Sequence, residues 1–308
     1  MVTKRILNAP ELFALRITLA TVALDLALVF LRGARLDPIG YGKIVLLAGM
    51  LLAVGFTYRR SGRSDSIGTT CLCTGLFILF SAAMSLFNHM LVPNGRPVID
   101  EWLIRADAVL GYDWPSIIAW AAEYPLWNEV LRLTYLATLP QIAILVIVLG
   151  LTGRIRDLHS LLTTVVVAAT GAVLFWGLFP SAGAKAFQEV PPALLEAVRP
   201  IVDPPYVAAI IDLIHNGTSH LSPDEFRGLI AFPSFHIVLG FVATFHARSV
   251  KWLLVPYAAL NVLLLPAVLV HGGHHLLDIP AGIAVFLLAL AASRAVSRPG
   301  TAAAFARA

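Results

Sequence analysis

The chain is poor in charge. Only 13% of its 308 residues are Asp, Glu, Lys or Arg, about half of the roughly 25% found in an average soluble domain. A water-exposed globule of this size could not cover its surface with so few, so a soluble enzyme and a disordered chain are both excluded. Cysteine is scarcer still. Cys71 and Cys73 stand two apart in an apolar run; they face different sides of a helix and cannot sensibly bridge each other, which removes a disulfide framework. No repeat of fixed period is present. The polar–apolar alternation of a transmembrane barrel is missing as well. The first apolar stretch, Leu12 to Leu31 behind Lys4 and Arg5, has no evident cleavage site and is too long for the h-region of a signal peptide, so it reads as a retained span.

What remains is apolar. Hydrophobic residues make up 58% of the chain, and the mean hydropathy is +0.83. These values imply an all-α polytopic membrane protein. Spans of about 20 residues are expected at about 12–31, 41–58, 67–90, 131–151, 160–179, 231–248, 252–270 and 277–296. Two long connections, 91–130 and 180–230, leave room for structure outside the membrane, and the tail 297–308 has the composition of a flexible end. Between residues 98 and 130 lie Trp102, Tyr112, Trp114, Trp120, Tyr124 and Trp127. This is the pattern of an aromatic belt on interfacial helices, with a lateral gate for a lipid as the functional alternative.

The net charge of +4 orients loops and is no sign of nucleic acid. Five basic groups fall on one side of a chain with about eight spans: Lys4 and Arg5; Arg59, Arg60 and Arg63; Arg154 and Arg156; Arg248 and Lys251; Arg294 and Arg298. Arg32 and Arg35 dissent. That side, with both termini, is expected to be the cytoplasm of a bacterial inner membrane. The long loops and the turn around His271 to His275 then face the periplasm or the exterior.

Ionisable groups in or beside a bilayer are costly and are functional candidates by default. Three clusters lie on the expected outer face. In Ala231-Phe-Pro-Ser-Phe-His236, Pro233 and Ser234 mark a helix start, whose free N–H groups and dipole suit a phosphate, with His236 close by. In His271-Gly-Gly-His-His-Leu-Leu-Asp278, a helix starting near His274 would put His274 and Asp278 on one face. The carboxylate would fix the tautomer and leave the other ring nitrogen as a nucleophile. Gly272 and Gly273 would let backbone approach a ligand. Lys185, Arg199 and Arg227 occupy the loop 180–230 as cations for non-bridging phosphate oxygens, Arg199 reading as an ordinary loop charge. Arg16, Asp25, Gln141 and His246 read as interhelical hydrogen-bond partners.

These clusters resemble the type 2 phosphatidic acid phosphatase superfamily, whose signatures are Lys-x6-Arg-Pro, Pro-Ser-Gly-His and Ser-Arg-x5-His-x3-Asp. Pro233-Ser-Phe-His236 matches the second with Phe235 for glycine, and His274-x3-Asp278 matches the end of the third. Ala267 and Val268 replace its Ser-Arg, and Arg199-Pro200 follows Lys185 several residues too late. Both departures are similar to the branch containing inositol phosphorylceramide synthases, with His-aromatic-or-His-x2-Asp as third signature. Asp107-Ala-Val-Leu-Gly-Tyr-Asp-Trp114 and Tyr135 to Gln141 look like bacterial members of it. The resemblance covers about residues 67–296. It implies a six-helix catalytic core, with residues 1–66 supplying two additional N-terminal spans. It implies an enzyme acting on membrane lipids without metal or cofactor, either a phosphatase or a phosphotransferase. His274 would attack phosphorus, Asp278 would orient it, and His236 would protonate the leaving group. Ser234, Lys185, Arg227 and His271 would hold phosphate. A phospholipid would be the donor and water or a lipid hydroxyl the acceptor; the oligomeric state is left open.

Two other readings compete. His236, His271, His274, His275 and Asp278 are all acceptable zinc ligands, as in an intramembrane zinc hydrolase. A non-catalytic transporter would use the same histidines to bind or gate an anionic head group, although no inverted repeat is visible.

Overall fold

A computed structural model describes residues 7–296, so the basic flank at Lys4 and Arg5 and the tail 297–308 with Arg298 lie outside the described residues. The sequence punctuates its first helices clearly. Helix α1 (Ala9–Arg32) opens on Asn8, whose N–H donates to Glu11, and stops at left-handed Gly33. Helix α2 (Pro38–Ser61) is capped by Asp37, which accepts from the Ile39 N–H, and stops at left-handed Gly62. Helix α3 (Asp65–Met90) is capped by Ser64. Each device satisfies backbone groups that a helix end leaves unpaired.

The connection 91–130 contains α4 (Asp100–Val109), α5 (Trp114–Glu123) and the start of α6 (Pro125–Leu136). Helix α7 (Thr138–Leu151) continues α6 with a bend of 46°. The bend has a covalent cause: Pro140 lacks an N–H and its ring would clash with the carbonyl of Leu136. Helix α8 (Ile155–Leu178) follows, then α9 (Pro192–Val198) and α10 (Pro204–Asn216) within the loop 180–230. That loop also pairs with the α1–α2 connection, through parallel two-residue strands β1 (Arg35–Leu36) and β2 (His220–Leu221). Helices α11 (Phe235–Ala247), α12 (Lys251–Gly272) and α13 (Asp278–Val296) complete the chain.

Among the described residues, six helices are long and apolar enough to cross a membrane: α1, α2, α3, α8, α12 and α13. The bent pair α6–α7 makes a seventh if counted as one span. The expected span at 231–248 is a helix of 13 residues, because residues 231–234 are taken up by the turn that delivers Ser234 and His236. Helix α8 is the axis of the bundle, packing against α1, α3, α7, α11 and α13. Its Leu158, Leu161, Leu162 and Val166 are fully buried in the main core with Leu145, Leu149, Val238 and Val242.

Polar contacts cross this apolar frame. Gln141 accepts from the Asn261 amide at 3.0 Å, and His246 meets Ser160 at 3.1 Å. Asp25 differs: it is buried, yet neither carboxylate oxygen has a hydrogen-bond partner. A second network joins the N-terminal pair of helices to the core. Glu11, fully buried in α1, receives both arms of the Arg59 guanidinium at 2.6 and 2.8 Å. Arg59 also donates to Thr69 of α3 at 2.7 Å, and His159 of α8 lies 3.0 Å from Glu11.

Removing one member of a buried, forked ion pair strands the other charge. Arg59→Met should therefore lower stability by about 3–5 kcal/mol, while the double variant Glu11→Leu/Arg59→Met should recover part of that loss. Thermal unfolding of the purified variants in detergent checks both expectations.

Candidate active site

The three clusters come together at the end of the bundle away from Glu11 and Arg59. Helix α12 ends where Gly273 turns left-handed (φ 60°), and α13 begins only at Asp278. His274 and Asp278 therefore meet across a turn and not along one helix face. His274 Nδ1 lies 2.7 Å from Asp278 Oδ2, and both side chains are buried. An ionised Asp278 accepts from Nδ1, the tautomer that leaves the lone pair on Nε2. The same Asp278 oxygen accepts from the His275 N–H at 3.0 Å. Tyr112 donates to the His274 carbonyl at 3.0 Å and holds the turn from the α4–α5 side.

The two glycines serve the site's own side chains. A Cβ on Gly272 would stand 2.6 Å from the His274 ring, and one on Gly273 would stand 2.4 Å from the Lys185 stem. Only glycine lets the chain pass this close, and at Gly273 only glycine takes the left-handed turn without strain.

Helix α11 brings the second imidazole. Ser234 is its N-cap residue, but its hydroxyl does not cap; it faces His274 Nε2 at 3.4 Å. The Ser234 N–H donates to the Asp278 carbonyl at 3.1 Å, which ties the start of α11 to the start of α13. The first N–H groups of α11 thus open beside Nε2 with no intrahelical acceptor of their own. His236, half-buried, stacks on Tyr135 with ring centroids 4.2 Å apart. Tyr135 also borders Gly272 beside the His274 ring, and the two imidazoles lie within electrostatic reach of each other.

Lys185 reaches the same place from the loop after α8. Its Nζ donates to the Gly272 carbonyl. Burial pulls its pKa down to about 8, against the opposing pull of Asp278 and Asp100. His274 is held well below the ordinary histidine range by burial, and then by the charges of Lys185 and His275. The result is a neutral ring whose Nε2 faces a serine hydroxyl and a helix start, with the Ala231 backbone, a lysine and a second imidazole also within reach of the ring. That set is suited to nucleophilic attack on an anionic centre.

Not every expected ligand joins it. His271 is fully buried, but its Nε2 bonds the Asn128 carbonyl of α6 at 3.1 Å and its Nδ1 has no partner. Arg227 is exposed and lies over the Tyr206 ring at 4.9 Å, on the wall of an outer cavity of about 300 Å³ that His89 and Glu225 also line. Arg199 is an exposed residue that closes α9. Both ring nitrogens of His275 are occupied by carboxylates: Asp107 at 2.7 Å and Asp100 at 3.2 Å. Of the five residues of the zinc reading, His274 and Asp278 bond each other, His275 is held by Asp100 and Asp107, His271 by the Asn128 carbonyl, and His236 stacks on Tyr135. Among the described residues, the group of three candidate metal ligands close enough to share one ion is Glu11, Cys73 and His159, at the far end, where Arg59 already holds Glu11.

The aromatic segment divides. Tyr112 and Trp114 are buried beneath the site, with the Trp114 indole donating to the Leu269 carbonyl at 3.0 Å, whereas Trp102, Trp120, Tyr124 and Trp127 are exposed. The structural roles of Asp100, Asp107, His275 and Tyr135 are additions that motif reading did not assign. Asp107 and Tyr135 lie in the two stretches, Asp107 to Trp114 and Tyr135 to Gln141, that carry the resemblance, and His275 lies in the histidine cluster; Asp100 has no signal in the sequence.

A family model described as the PAP2 superfamily matches residues 101–292. No curated protein and no solved structure matches the chain.

Gly273→Ala should destabilise the protein by about 1–2 kcal/mol from left-handed strain alone, with a further loss from displacing the Lys185 stem. Its unfolding midpoint in detergent measures the total, and a substitution at exposed Gly95, also left-handed (φ 71°) but with open space around it, measures the strain alone.

Proposed function

The chain belongs to the PAP2 superfamily, and from that premise we propose that it cleaves a lipid phosphoester at His274 through a phosphohistidine. The observation that carries this reading is the orientation of His274: Nδ1 is bound to Asp278, and Nε2 faces Ser234 at the start of α11. Members of this superfamily are generally phosphatases or phosphoesterases, which gives the reaction class.

In the proposed first step the Nε2 lone pair attacks phosphorus, a P–N bond forms and the P–O bond to the leaving alkoxide breaks. His236, whose pKa burial and then the charges of His274 and Lys185 pull down to about 3, takes up a proton only with the anionic substrate in place and gives it to that alkoxide. Asp278 stabilises the positive charge that grows on the His274 ring. Ser234, the first N–H groups of α11 and Lys185 hold the non-bridging oxygens. In the second step His236 takes a proton from the acceptor, whose oxygen attacks phosphorus, and the P–N bond breaks. Water as acceptor gives hydrolysis; a lipid hydroxyl gives transfer. No step calls on a metal or cofactor.

The donor is proposed to be a phospholipid because the site lies at helix ends, where head groups sit in a bilayer. The inositol phosphorylceramide synthase-like bacterial branch is proposed on His274-His-Leu-Leu-Asp278 and on Ala267-Val268 in place of Ser-Arg. Lys185 then supplies charge that the arginine supplies in other members. The basic residues around Arg59, Arg154, Arg156, Arg248 and Lys251 sit at the opposite end of the bundle from the site. By the positive-inside rule that end is cytoplasmic and the site is periplasmic or exterior.

Incubating purified protein with head-group-labelled phospholipids, with and without diacylglycerol or ceramide, should yield the phosphorylated head group (free phosphate from a phosphomonoester) or a new labelled lipid. The protein should carry acid-labile, alkali-stable label. His274→Ala should abolish the label and the product, and His236→Ala should slow turnover by about 10²–10⁴-fold. Full turnover by His274→Ala ends the proposal.

Lys185 adds a pH expectation. Its folded pKa is depressed to about 8, so its charge is present below that value and lost above it. KM should rise as pH passes through about 8, and Lys185→Arg should shift that rise to higher pH. A KM that is flat from pH 7 to pH 9 would remove Lys185 from the phosphate site.

A further inference from the structure

His275 has no part in the chemistry just described, yet both of its ring nitrogens are engaged. It is fully buried. Its Nδ1 meets Asp107 Oδ2 at 2.7 Å and its Nε2 meets Asp100 Oδ1 at 3.2 Å. Both partners are carboxylate oxygens, which only accept, so both ring nitrogens act as donors and the ring is an imidazolium.

Each aspartate also holds backbone. Asp100 accepts from the Ala182 N–H at 3.0 and 3.1 Å and from the Gly183 N–H at 2.7 Å, two residues before Lys185. Asp107 accepts from the Leu276 N–H at 3.0 Å, and His275 itself donates its N–H to the Asp278 oxygen that orients His274. One charged ring thus links α4, the Lys185 loop and the α12–α13 turn. Asp278 and the ring of His274 also face it, and Lys185 faces the same Asp100 and Asp278.

We propose that His275 is a positioning residue of this centre: a buried imidazolium, locked between Asp100 and Asp107, that fixes Asp278 and His274 against the loop carrying Lys185. It acts through its neighbours, since neither ring nitrogen is left for substrate. Two buried carboxylates without it would repel each other and release both backbone segments. The proposal rests on the reading of His274 as the nucleophile only for its kinetic consequence; the charge and the lock stand on geometry.

Burial works against the charged ring, but the hydrogen bonds to Asp100 and Asp107 outweigh it and lift the pKa to about 9. The folded value lies above the ordinary 6.5, so the ring's contribution to stability is complete below pH 6.5 and is lost as pH rises through about 9.

The test is nitrogen NMR of the full chain in detergent with ¹⁵N-histidine, the His275 signals identified by their loss in His275→Gln. The expected result is a doubly protonated ring at pH 7.5 that titrates near 9, and at a lower pH in Asp107→Asn. In the lipid assay His275→Gln should lower kcat by about 10²-fold, with KM changed less than about threefold. A neutral His275 ring at pH 7.5 overturns the proposal, as does wild-type kcat in His275→Gln. If the wild-type protein turns over no phosphoester, the reading of the reaction falls, while the titration of this ring still decides whether the lock exists.

Discussion

The bond between His274 Nδ1 and Asp278 Oδ2 is the contact on which the rest of the site depends. It joins the turn after α12 to the first residue of α13 and sets which ring nitrogen is free. In a buried setting this bond is stronger than in water, but an unmatched partner is also far more costly. The surroundings are arranged to keep the pair matched. The Ser234 N–H holds the Asp278 backbone, the His275 N–H holds the Asp278 side chain, and Tyr112 holds the His274 carbonyl. Each comes from a different segment, so the geometry of one imidazole is determined by several elements of the fold.

The architecture separates two kinds of polar network. At one end, Glu11, Arg59, Thr69 and His159 bind the N-terminal helices to α3 and α8. At the other, the aspartates of α4 and the histidines of the α12–α13 turn surround Lys185 and the start of α11. Between them α8 and its neighbours bury a mainly apolar core, crossed by contacts such as Gln141–Asn261 and His246–Ser160. A bilayer favours this division, because polar groups near its midplane are expensive and those near its faces are less so. Asp25 stands outside the pattern as a buried carboxyl with no hydrogen-bond partner.

Much of this was legible in the sequence, for identifiable reasons. Long apolar runs mark spans because the bilayer fixes their length, and Pro233-Ser234 marks a helix start because both residues favour one, although the Ser234 hydroxyl turns to His274 and does not cap. His274 and Asp278 could be paired from their spacing, although the turn that pairs them is not the helix face the spacing suggested. The α6–α7 bend at Pro140 and the shortness of α11 were hidden, because a hydropathy window averages across a break. His271 was grouped with the site by proximity in sequence; its side chain turns to α6 because α12 is still helical there. The Asp100–His275–Asp107 contacts were invisible for a stronger reason. They join residues more than 160 positions apart, and no local pattern encodes a distant partner.

The central claim is that His274 Nε2 is the atom that meets phosphorus. Its most direct measurement is an experimental structure of the protein with vanadate, which takes the five-coordinate geometry of phosphoryl transfer. The account predicts vanadium bonded to His274 Nε2, with its oxygens on Ser234, Lys185 and the first N–H groups of α11, and His236 opposite. Vanadate bound elsewhere on the outer face, with His274 Nε2 uninvolved, would contradict it.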